Sequence, residues 1–435
     1  MISGSVAIVG SPNVGKSTLF NRIVGARHSI VDDTAGSTRD RLYAQASWLT
    51  KEFSVIDTGG IEIADHPFQE QIRAQAEIAI NEADIIVFVV DGLIGVSADD
   101  RMVAKMLYKA KKPVLLVVNK IDDITKADSI SEFFGLGLGD PIPVSGVHGI
   151  GIGDLLDKIV AVLPDKKQKE YEGQICFSVI GRPNVGKSSL VNAILNQDRV
   201  IVSNIEGTTR DAVDTSFRRE GRDYVVIDTA GLKKRGQIYE AVDKYSAIRA
   251  LSAIDRSDIV LLVLDGNEGI REQDKHVVGY AMEAKKAIII VVNKWDLVKK
   301  ENNTMSDFIK KVRDEFKFLE YAPVVFVSAK ERSRINTVFQ SIDVAYDGYC
   351  LRVATSTLNE IMQDAQILNP TPYFNGGRIK IFYANQVSIK PPTFVLFVND
   401  THFMHFSYQR YLENRLRETF GFEGTPITIV CRERK

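Results

Sequence analysis

The most informative segment of the chain reads Gly10-Ser-Pro-Asn-Val-Gly-Lys-Ser17. It fits the pattern Gly-x4-Gly-Lys-Ser, follows the apolar run Val6–Val9, and leads into a stretch with helical spacing from Lys16 to Val24. Glycines in such a loop let successive backbone N–H groups turn inward, and the N-terminus of the following helix adds positive potential. The segment therefore predicts a P-loop, a strand–loop–helix unit that binds phosphate groups.

The same segment returns 171 residues later as Gly181-Arg-Pro-Asn-Val-Gly-Lys-Ser188. Three further motifs recur in the same order: Gly36-Ser-Thr-Arg-Asp40 as Gly207-Thr-Thr-Arg-Asp211, Asp57-Thr-Gly-Gly60 as Asp228-Thr-Ala-Gly231, and Asn119-Lys-Ile-Asp122 as Asn293-Lys-Trp-Asp296. A period this long is too large for a solenoid, whose repeats span roughly 20–50 residues. We conclude that a whole domain is duplicated.

The repeat divides the chain into four segments. We predict a first domain over residues 1–163, a polar linker over 164–174, a second domain over 175–347 and an unrelated C-terminal domain over 348–435. Within each copy, continuous apolar runs such as Ile85–Val90 and Val114–Val118 indicate strands buried on both faces of a parallel sheet. Tyr43–Trp48 and Phe53–Ile56 indicate an antiparallel hairpin at one edge. The predicted fold class is α/β, with two mostly parallel sheets flanked by helices and a smaller α/β domain after them.

The composition excludes several classes of protein. The chain carries 55 Lys and Arg against 56 Asp and Glu, so we do not expect it to coat nucleic acid by bulk charge. Its three cysteines are widely spaced without a CxxC pair, which argues against a disulfide framework or a zinc site. The apolar runs are far shorter than a ~20-residue membrane span, and the first residues do not resemble a signal peptide. We expect a soluble cytoplasmic protein that binds neither a membrane nor DNA.

The repeated motifs supply the groups that a nucleoside triphosphate with Mg²⁺ requires. Lys16 and Lys187 can reach between the β- and γ-phosphates, and Gly60 and Gly231 can donate backbone N–H groups to the γ-phosphate. Six side chains with oxygen atoms are the candidate Mg²⁺ ligands: Ser17, Thr38, Asp57, Ser188, Thr209 and Asp228. The loops that carry the two threonines would act as switches if they order only around a γ-phosphate.

The Asn-Lys-x-Asp motifs are typical of base recognition. Asp122 and Asp296 can each accept two hydrogen bonds from one edge of a base, which guanine offers and adenine does not. Adenine would leave a buried carboxylate unpaired, which costs several kcal/mol. The remaining base contacts are predicted for Asn119, Asn293, Lys120 and Lys294, and for the backbone of Ser145-Gly146 and Ser328-Ala329-Lys330.

The predicted nucleotide-contacting residues form two matched sets. The first set comprises Gly10, Ser11, Pro12, Asn13, Val14, Gly15, Lys16, Ser17, Asp57, Thr58, Gly59, Gly60, Ile61, Asn119, Lys120, Ile121, Asp122, Ser145 and Gly146. The second set comprises Gly181, Arg182, Pro183, Asn184, Val185, Gly186, Lys187, Ser188, Asp228, Thr229, Ala230, Gly231, Leu232, Asn293, Lys294, Trp295, Asp296, Ser328, Ala329 and Lys330.

In this order, the motifs resemble those of a GTPase of the translation-factor type. Two sets in one chain, each with Pro-Asn-Val-Gly-Lys-Ser in its P-loop, resemble the Der (EngA) family of bacterial ribosome-assembly GTPases over essentially all 435 residues. The resemblance implies two P-loop GTPase domains, a KH-like C-terminal domain, and Mg²⁺-dependent hydrolysis of GTP to GDP and phosphate. It also implies that the large ribosomal subunit and its rRNA are the partners, and we expect the protein to be a monomer.

Both copies lack the glutamine side chain that orients the attacking water in many GTPases. Many GTPases place Gln directly after the DxxG motif, where this chain has Ile61 and Leu232. In related GTPases a P-loop asparagine ligates K⁺, and the resemblance assigns that role to Asn13 and Asn184. The alternative is that both asparagines serve only the turn preference of the loop. Catalytic roles are predicted for Lys16, Asn13, Thr38, Gly60, Lys187, Asn184, Thr209 and Gly231.

Two other function classes stay open. One is a nucleotide-sensing scaffold in which one copy binds GTP but barely hydrolyses it. The other is an ATP-dependent RNA-remodelling enzyme, which Asp122 and Asp296 disfavour. The basic segment Lys233-Lys-Arg235 follows the second DxxG motif, and we hypothesise that it meets RNA phosphate or the neighbouring domain in one nucleotide state.

The C-terminal domain departs from the usual RNA-binding pattern of KH modules. Such modules clamp RNA with a GxxG loop between two helices, whereas Gly421-Phe-Glu-Gly424 lies between a predicted helix and a predicted strand. The alternative hypothesis is that the domain docks against the GTPase domains and relays their nucleotide state. We expect its aromatic residues Tyr373, Phe382 and Tyr383 to lie in the core.

Overall fold

The computed structural model describes residues 2–25, 43–49, 51–60, 72–73, 75–77, 79–80, 83–122, 124–163, 171, 173–197, 200–202, 214–228, 243–299 and 303–434. The chain forms two compact units. The first consists of Met1–Glu170 and Gln237–Arg249, and the second of Tyr171–Gly236 and Ala250–Lys435. No described helix has the length and apolar character that crossing a membrane requires.

The first unit is built on a six-stranded sheet. Its strands are Ile2–Val9 (β1), Tyr43–Trp48 (β2), Lys51–Asp57 (β3), Ile85–Asp91 (β4), Val114–Asn119 (β5) and Ile142–Pro143 (β6). Their order in the sheet is β2-β3-β1-β4-β5-β6, and only β2 runs antiparallel to its neighbour. The predicted parallel sheet with one edge hairpin is confirmed.

Helices and loops of the first unit cover both faces of this sheet. The described helices are Lys16–Gly25, Ala98–Lys109 and Ile152–Val162, and the 3₁₀ segments are Thr58–Gly60 and Ile124–Leu136. Because side chains alternate along a strand, a continuous apolar run fills both faces at once. Val6 and Ile8 of β1 accordingly join one core cluster, and Ala7 and Val9 join the other.

The second unit contains a seven-stranded sheet that repeats the first. Its strands are Ile175–Ile180 (β7), Ile201–Val202 (β8), Thr215–Arg219 (β9), Arg222–Val226 (β10), Ile259–Asp265 (β11), Ala287–Asn293 (β12) and Val324–Phe326 (β13). Their order is β13-β12-β11-β7-β10-β9-β8, so the short strand β8 extends the hairpin edge. The helices are Lys187–Leu195, Glu272–Glu283, Thr304–Glu315 and Ile335–Cys350, with a 3₁₀ turn at Lys317–Leu319, and the helix Asp243–Arg256 belongs to this unit from Ala250 onward.

The C-terminal part of the second unit is a small α/β domain. Its strands are Tyr373–Phe374 (β14), Gly377–Arg378 (β15), Ile381–Ser388 (β16), Thr393–Val398 (β17) and Thr428–Glu433 (β18). Its helices are Thr355–Leu368 and Phe406–Phe420, with a 3₁₀ turn at Thr401–Phe403. Strand β17 lies between antiparallel β16 and parallel β18, and both helices contribute to the same apolar core. The helix and the strand predicted on either side of Gly421–Gly424 are confirmed.

The prediction that three aromatic residues of this domain are buried is wrong. Tyr373, Phe382 and Tyr383 are 70%, 39% and 46% exposed. The register of β16 against β17 shifts between Ile381 and Tyr383, so the alternation expected from the sequence is broken at Phe382. Ile381 and Ala384 fill the core instead.

The C-terminal domain packs against the start of the strands of the second sheet. The backbone N–H of Gly424 donates to the Tyr321 carbonyl at 2.8 Å, and its carbonyl accepts from the Ile288 N–H at 2.8 Å. Lys390 Nζ donates to Asp258 Oδ1 at 3.0 Å and lies 3.0 Å from the Tyr346 hydroxyl. Since Asp258 and Ile288 lie at the beginnings of β11 and β12, this contact is at the edge opposite the P-loop.

Candidate nucleotide-binding sites

The first P-loop follows β1 and precedes the helix Lys16–Gly25. A Cβ atom on Gly10 would lie 2.2 Å from the Val89 carbonyl oxygen, so only glycine fits against β4 there. Gly15 has a φ of +93°, and a Cβ would lie 2.3 Å from Asn119 Nδ2. The glycines of the motif are thus explained by close backbone approach as well as by the turn.

The second P-loop repeats this geometry. A Cβ on Gly181 would lie 2.5 Å from the Val263 carbonyl oxygen, and one on Gly186 would lie 2.3 Å from Asn293 Nδ2. Asn13 and Asn184 both adopt left-handed backbone, with φ of 63° and 66°. Within the described part of the chain neither amide side chain makes a hydrogen bond, so each carbonyl oxygen is available to a cation.

The P-loop lysines are held inside their loops. Lys16 Nζ donates to the carbonyl oxygens of Gly10 at 2.8 Å and Ser11 at 2.9 Å. Lys187 Nζ donates to those of Gly181 at 2.6 Å and Arg182 at 2.8 Å. Burial lowers the pKa of Lys16 below its usual value, although the Asp57 carboxylate opposes that shift. A phosphate group entering the loop would stabilise the charged lysine.

The first site contains a pair of oxygen atoms that fits Mg²⁺. Ser17 Oγ donates to Asp57 Oδ2 at 2.8 Å, and the Gly59 N–H donates to Asp57 Oδ1 at 2.8 Å. Neighbouring oxygens around octahedral Mg²⁺ lie about 2.9 Å apart, given ligand distances of about 2.0–2.1 Å. Ser17 and Asp57 therefore lie where they would hold the ion, which when bound neutralises charge on the β- and γ-phosphates.

The two asparagines of the base-recognition motifs join neighbouring loops. Asn119 Nδ2 donates to the Val14 carbonyl at 2.7 Å, and Asn119 Oδ1 accepts from the Gly146 N–H at 2.9 Å. Asn293 makes the same contacts with the Val185 carbonyl at 2.9 Å and the Ala329 N–H at 3.0 Å. Each asparagine thus ties the P-loop to the loop predicted to contact the base.

The partners of the two motif lysines are acidic residues that the sequence motifs did not predict. Lys120 Nζ donates to Asp91 Oδ2, and Lys294 Nζ donates to Asp265 Oδ2, both at 2.6 Å. Burial acts to raise the pKa of Asp265, but the hydrogen bonds from Lys294 and two backbone N–H groups outweigh it and lower that pKa. The available signal was an Asp-Gly pair after an apolar strand in both copies.

The two predicted guanine-reading carboxylates differ in their surroundings. Asp122 Oδ1 accepts from Ser145 Oγ at 2.7 Å, and its side chain is 60% exposed. Asp296 Oδ1 is buried without a hydrogen-bond partner among the described residues. A buried acceptor without a donor is costly, so Asp296 is suited to receive N–H groups from a ligand.

The copies also differ at the second P-loop position. Ser11 Oγ donates to Asp100 Oδ1 at 3.0 Å. The corresponding Arg182 donates to Glu268 Oε2 at 2.6 Å and has its Nε 3.4 Å from Asp274 Oδ2. The second P-loop is therefore anchored by the ion pairs of a buried arginine, where the first uses a hydroxyl group.

Several predicted site residues lie outside the described part of the chain. They are Thr38, Ile61, Thr209, Thr229, Ala230, Gly231 and Leu232, together with the basic segment Lys233-Lys-Arg235. Their roles stay predictions. Gly60 ends the 3₁₀ turn Thr58–Gly60, whose Thr58 Oγ1 donates to the Ile8 carbonyl at 2.6 Å.

Comparison with known protein families covers most of the chain. A model described as "50S ribosome-binding GTPase" matches residues 5–120 and 176–294, and one described as "KH-domain-like of EngA bacterial GTPase enzymes, C-terminal" matches residues 352–432. The GTPase Der of Macrococcus caseolyticus is 59% identical over 435 residues, which is 100% of both chains. The GTPase Der of Staphylococcus carnosus is 60% identical over 430 residues, which is 99% of each.

Solved structures give weaker matches. Era of Aquifex aeolicus bound to GDP.AlF4- is 19% identical, covers 78% of this chain and 98% of its own, and gives a TM-score of 0.31. The FeoB G-domain of Methanococcus jannaschii is 26% identical, covers 38% of this chain and 100% of its own, and gives a TM-score of 0.27. The family assignment therefore depends on the sequence relatives and the family models.

Proposed function

The chain belongs to the Der (EngA) family of GTPases, and from this membership we propose that the nucleotide states of two sites control its binding to the large ribosomal subunit during assembly. It binds GTP and hydrolyses it to GDP and phosphate, as its family does. The observation that carries the two-site proposal is the repeated P-loop geometry, in which Lys16 and Lys187 are held alike.

At each site the chain's own groups divide the work. The backbone N–H groups of the P-loop and its lysine bind the phosphates, and Asp122 or Asp296 selects guanine. Ser17 with Asp57, and Ser188 with Asp228, would hold Mg²⁺ together with Thr38 and Thr209. The limits proposed for the GTPase domains are 1–163 and 175–347, separated by the linker 164–174, with the KH-like domain over 348–435.

Potassium is proposed as the second cation of the reaction. Asn13 and Asn184 both adopt left-handed backbone, neither amide makes a hydrogen bond within the described part of the chain, and neither copy has an obvious arginine finger in its sequence. Steady-state GTP turnover should therefore rise when K⁺ replaces Na⁺ at constant ionic strength. Equal rates in the two salts would contradict the K⁺ proposal. Asn13 and Asn184 would then serve only the turn of the P-loop.

The proposed partners are the large ribosomal subunit and its rRNA, with the protein acting as a cytoplasmic monomer that binds no DNA. Support comes from the family description and from the docking of the C-terminal domain through Gly424 and Lys390, which would let that domain report the state of the second site. We expect co-sedimentation with large subunits in a non-hydrolysable GTP analogue and loss of it in GDP. Identical sedimentation in both states would contradict the proposal.

A further inference from the structure

Asp214 of the second unit receives hydrogen bonds from three separate segments of the chain. Its side chain is 0% exposed. Oδ1 accepts from the backbone N–H of Asp228 at 3.0 Å, and Oδ2 accepts from the Tyr171 hydroxyl at 3.0 Å and from Arg256. One of these donors belongs to the residue proposed to hold Mg²⁺ at the second site.

The backbone N–H of Asp228 donates to Asp214 because Asp228 lies beyond the end of strand β10. The pairing of β10 with β7 ends at Val226, and the last backbone contact is from the Ile227 N–H to the Phe177 carbonyl at 2.9 Å. Asp228 then turns into left-handed backbone with a φ of 60°. Asp214 supplies the acceptor that the sheet no longer offers to this N–H, and a buried N–H left without one is costly.

In the first copy the corresponding aspartate stays within the sheet. Asp57 is still the last residue of β3 and is paired with Ile8 of β1. The position that corresponds to Asp214 is Tyr43, which has no carboxylate. The contact is therefore a property of the second site alone.

The charge of Asp214 is compensated by its neighbours. An isolated carboxylate excluded from water is strongly unfavourable unless it is paired and hydrogen-bonded. Arg256, at the last turn of the helix Asp243–Arg256, supplies the opposite charge, and Tyr171, just before β7, supplies a second donor. Arg256 and Tyr171 together therefore hold the Asp214 carboxylate in the position from which it accepts from the Asp228 N–H.

We propose that Asp214 is a positioning residue of the second GTPase site, which holds the backbone of Asp228 and so fixes the place from which the Asp228 carboxylate would hold Mg²⁺. Arg256 and Tyr171 orient Asp214 in turn. The inference depends on the proposed function, since it takes Asp228 to be a Mg²⁺ ligand. It predicts that Asp214 affects how strongly Mg²⁺ retains nucleotide at the second site and not at the first.

The test measures release of a fluorescent GDP from the full chain in Mg²⁺ and in EDTA. The Lys16→Ala background restricts the measurement to the second site. There, Asp214→Asn should speed release in Mg²⁺ by about tenfold, while the rate in EDTA stays within about twofold, because a charge-assisted hydrogen bond is lost. Tyr171→Phe, which removes one donor only, should give a smaller acceleration in the same direction.

Two controls separate positioning from mere stability. In the Lys187→Ala background, where only the first site reports, Asp214→Asn should leave release unchanged in both conditions. Arg256→Lys keeps the charge and should retain most of the Mg²⁺ effect, whereas Arg256→Gln should lose it. The thermal unfolding of each variant is measured alongside.

A lower unfolding temperature with an unchanged ratio of release rates in Mg²⁺ and EDTA would overturn the inference. If Asp214→Asn does not fold, equal ratios for Tyr171→Phe, Arg256→Gln and the parent would overturn it as well. If the parent second site itself shows no retention by Mg²⁺, the proposed function fails first and the inference fails with it.

Discussion

Arg182 and Ser11 occupy the same place in the two P-loops but face different partners. Arg182 contacts Asp274, whose side chain is 0% exposed, whereas Ser11 contacts Asp100 through a hydroxyl group. Burial raises the pKa of Asp274 above its usual value, and Arg182 together with a backbone N–H of Arg271 works against that rise. The arginine therefore makes it less costly for Asp274 to be ionised.

Arg182→Ser should lower the free energy of unfolding at pH 7.5 by about 3 kcal/mol, because it leaves a buried carboxylate without its cation. The pKa of Asp274 should rise further in the variant. The loss of stability should therefore shrink as the pH falls towards 5 and Asp274 takes up a proton in the folded state. Urea unfolding at several pH values measures it.

Ser11→Ala is the matched control, and it should cost only about 1 kcal/mol without a pH dependence. Adding Asp274→Asn to Arg182→Ser should restore part of the stability. A loss for Arg182→Ser that is the same at pH 5 and pH 7.5 would show that Asp274 is not the cause.

Residues defined by a local motif could be predicted from the sequence, and residues defined by a distant contact could not. Gly10 and Lys16 belong to one short pattern whose chemistry is local. Asp91 acts through Lys120, which lies 29 residues further along the chain. Asp214 acts through the backbone of Asp228, whose position depends on where strand β10 ends. The Asp-Gly pair after the strand marks Asp91 without identifying its partner, and no motif in the sequence marks Asp214.

At the scale of elements, the loop between the helix Phe406–Phe420 and β18 is a docking element. Gly424 has a φ of +69°, and a Cβ there would lie 2.8 Å from the Ala345 Cβ of the helix Ile335–Cys350. Thr425 Oγ1 donates to the Ala345 carbonyl at 3.0 Å. The GxxG segment thus joins the KH-like domain to the second GTPase domain, as the docking alternative expected.

Gly424→Ala should therefore destabilise the second unit by about 3 kcal/mol, from backbone strain and overpacking together. Gly376→Ala is the control, since Gly376 has a φ of +91° but no atom within 4 Å of the place that a Cβ would take, and it should cost only about 1 kcal/mol. Thermal and urea unfolding measure both. Equal losses would contradict close packing at Gly424.

Lys390 forms the second link between these domains. Burial disfavours its charge, but the Asp258 carboxylate outweighs burial and raises the pKa of Lys390 to about 12. Lys390→Met should lower the free energy of unfolding by about 2 kcal/mol. Because a raised lysine pKa stabilises the fold below its ordinary value of 10.5 and ceases to do so as the pH rises through about 12, the loss should be constant between pH 6 and pH 9.

Lys380→Met serves as the control for Lys390→Met. Lys380 is exposed and lies 5.3 Å from the centre of the Phe382 ring, so its replacement should change stability by less than about 0.5 kcal/mol. If the two variants were equally stable, the Lys390–Asp258 contact would not hold the domains together.

Elements with long apolar runs could be predicted, whereas short edges and shifts of register could not. Strands such as β4 are buried along their whole length, so their composition alone identifies them. The two-residue strand β8 and the irregular register of β16 depend on the neighbouring strand rather than on local pattern. That dependence is why Phe382 was expected in the core and lies at the surface.

At the scale of the whole molecule, the duplication gives one chain two similar sites with different supports. Both P-loops hold their lysine in the same way. The second site differs in that its P-loop carries an arginine, Arg182, and the first residue of its DxxG motif donates a backbone hydrogen bond to Asp214. The second domain also shares a compact unit with the KH-like domain. The two sites therefore share their phosphate-binding geometry and differ in the residues that support it.

The most direct test is to count nucleotides bound per chain. With Mg²⁺ present, titration calorimetry with GDP should give two sites on the parent chain and one on each of Lys16→Ala and Lys187→Ala. ATP at the same concentrations should displace neither. A single site on the parent, or displacement by ATP as readily as by GTP, would contradict two guanine-specific pockets.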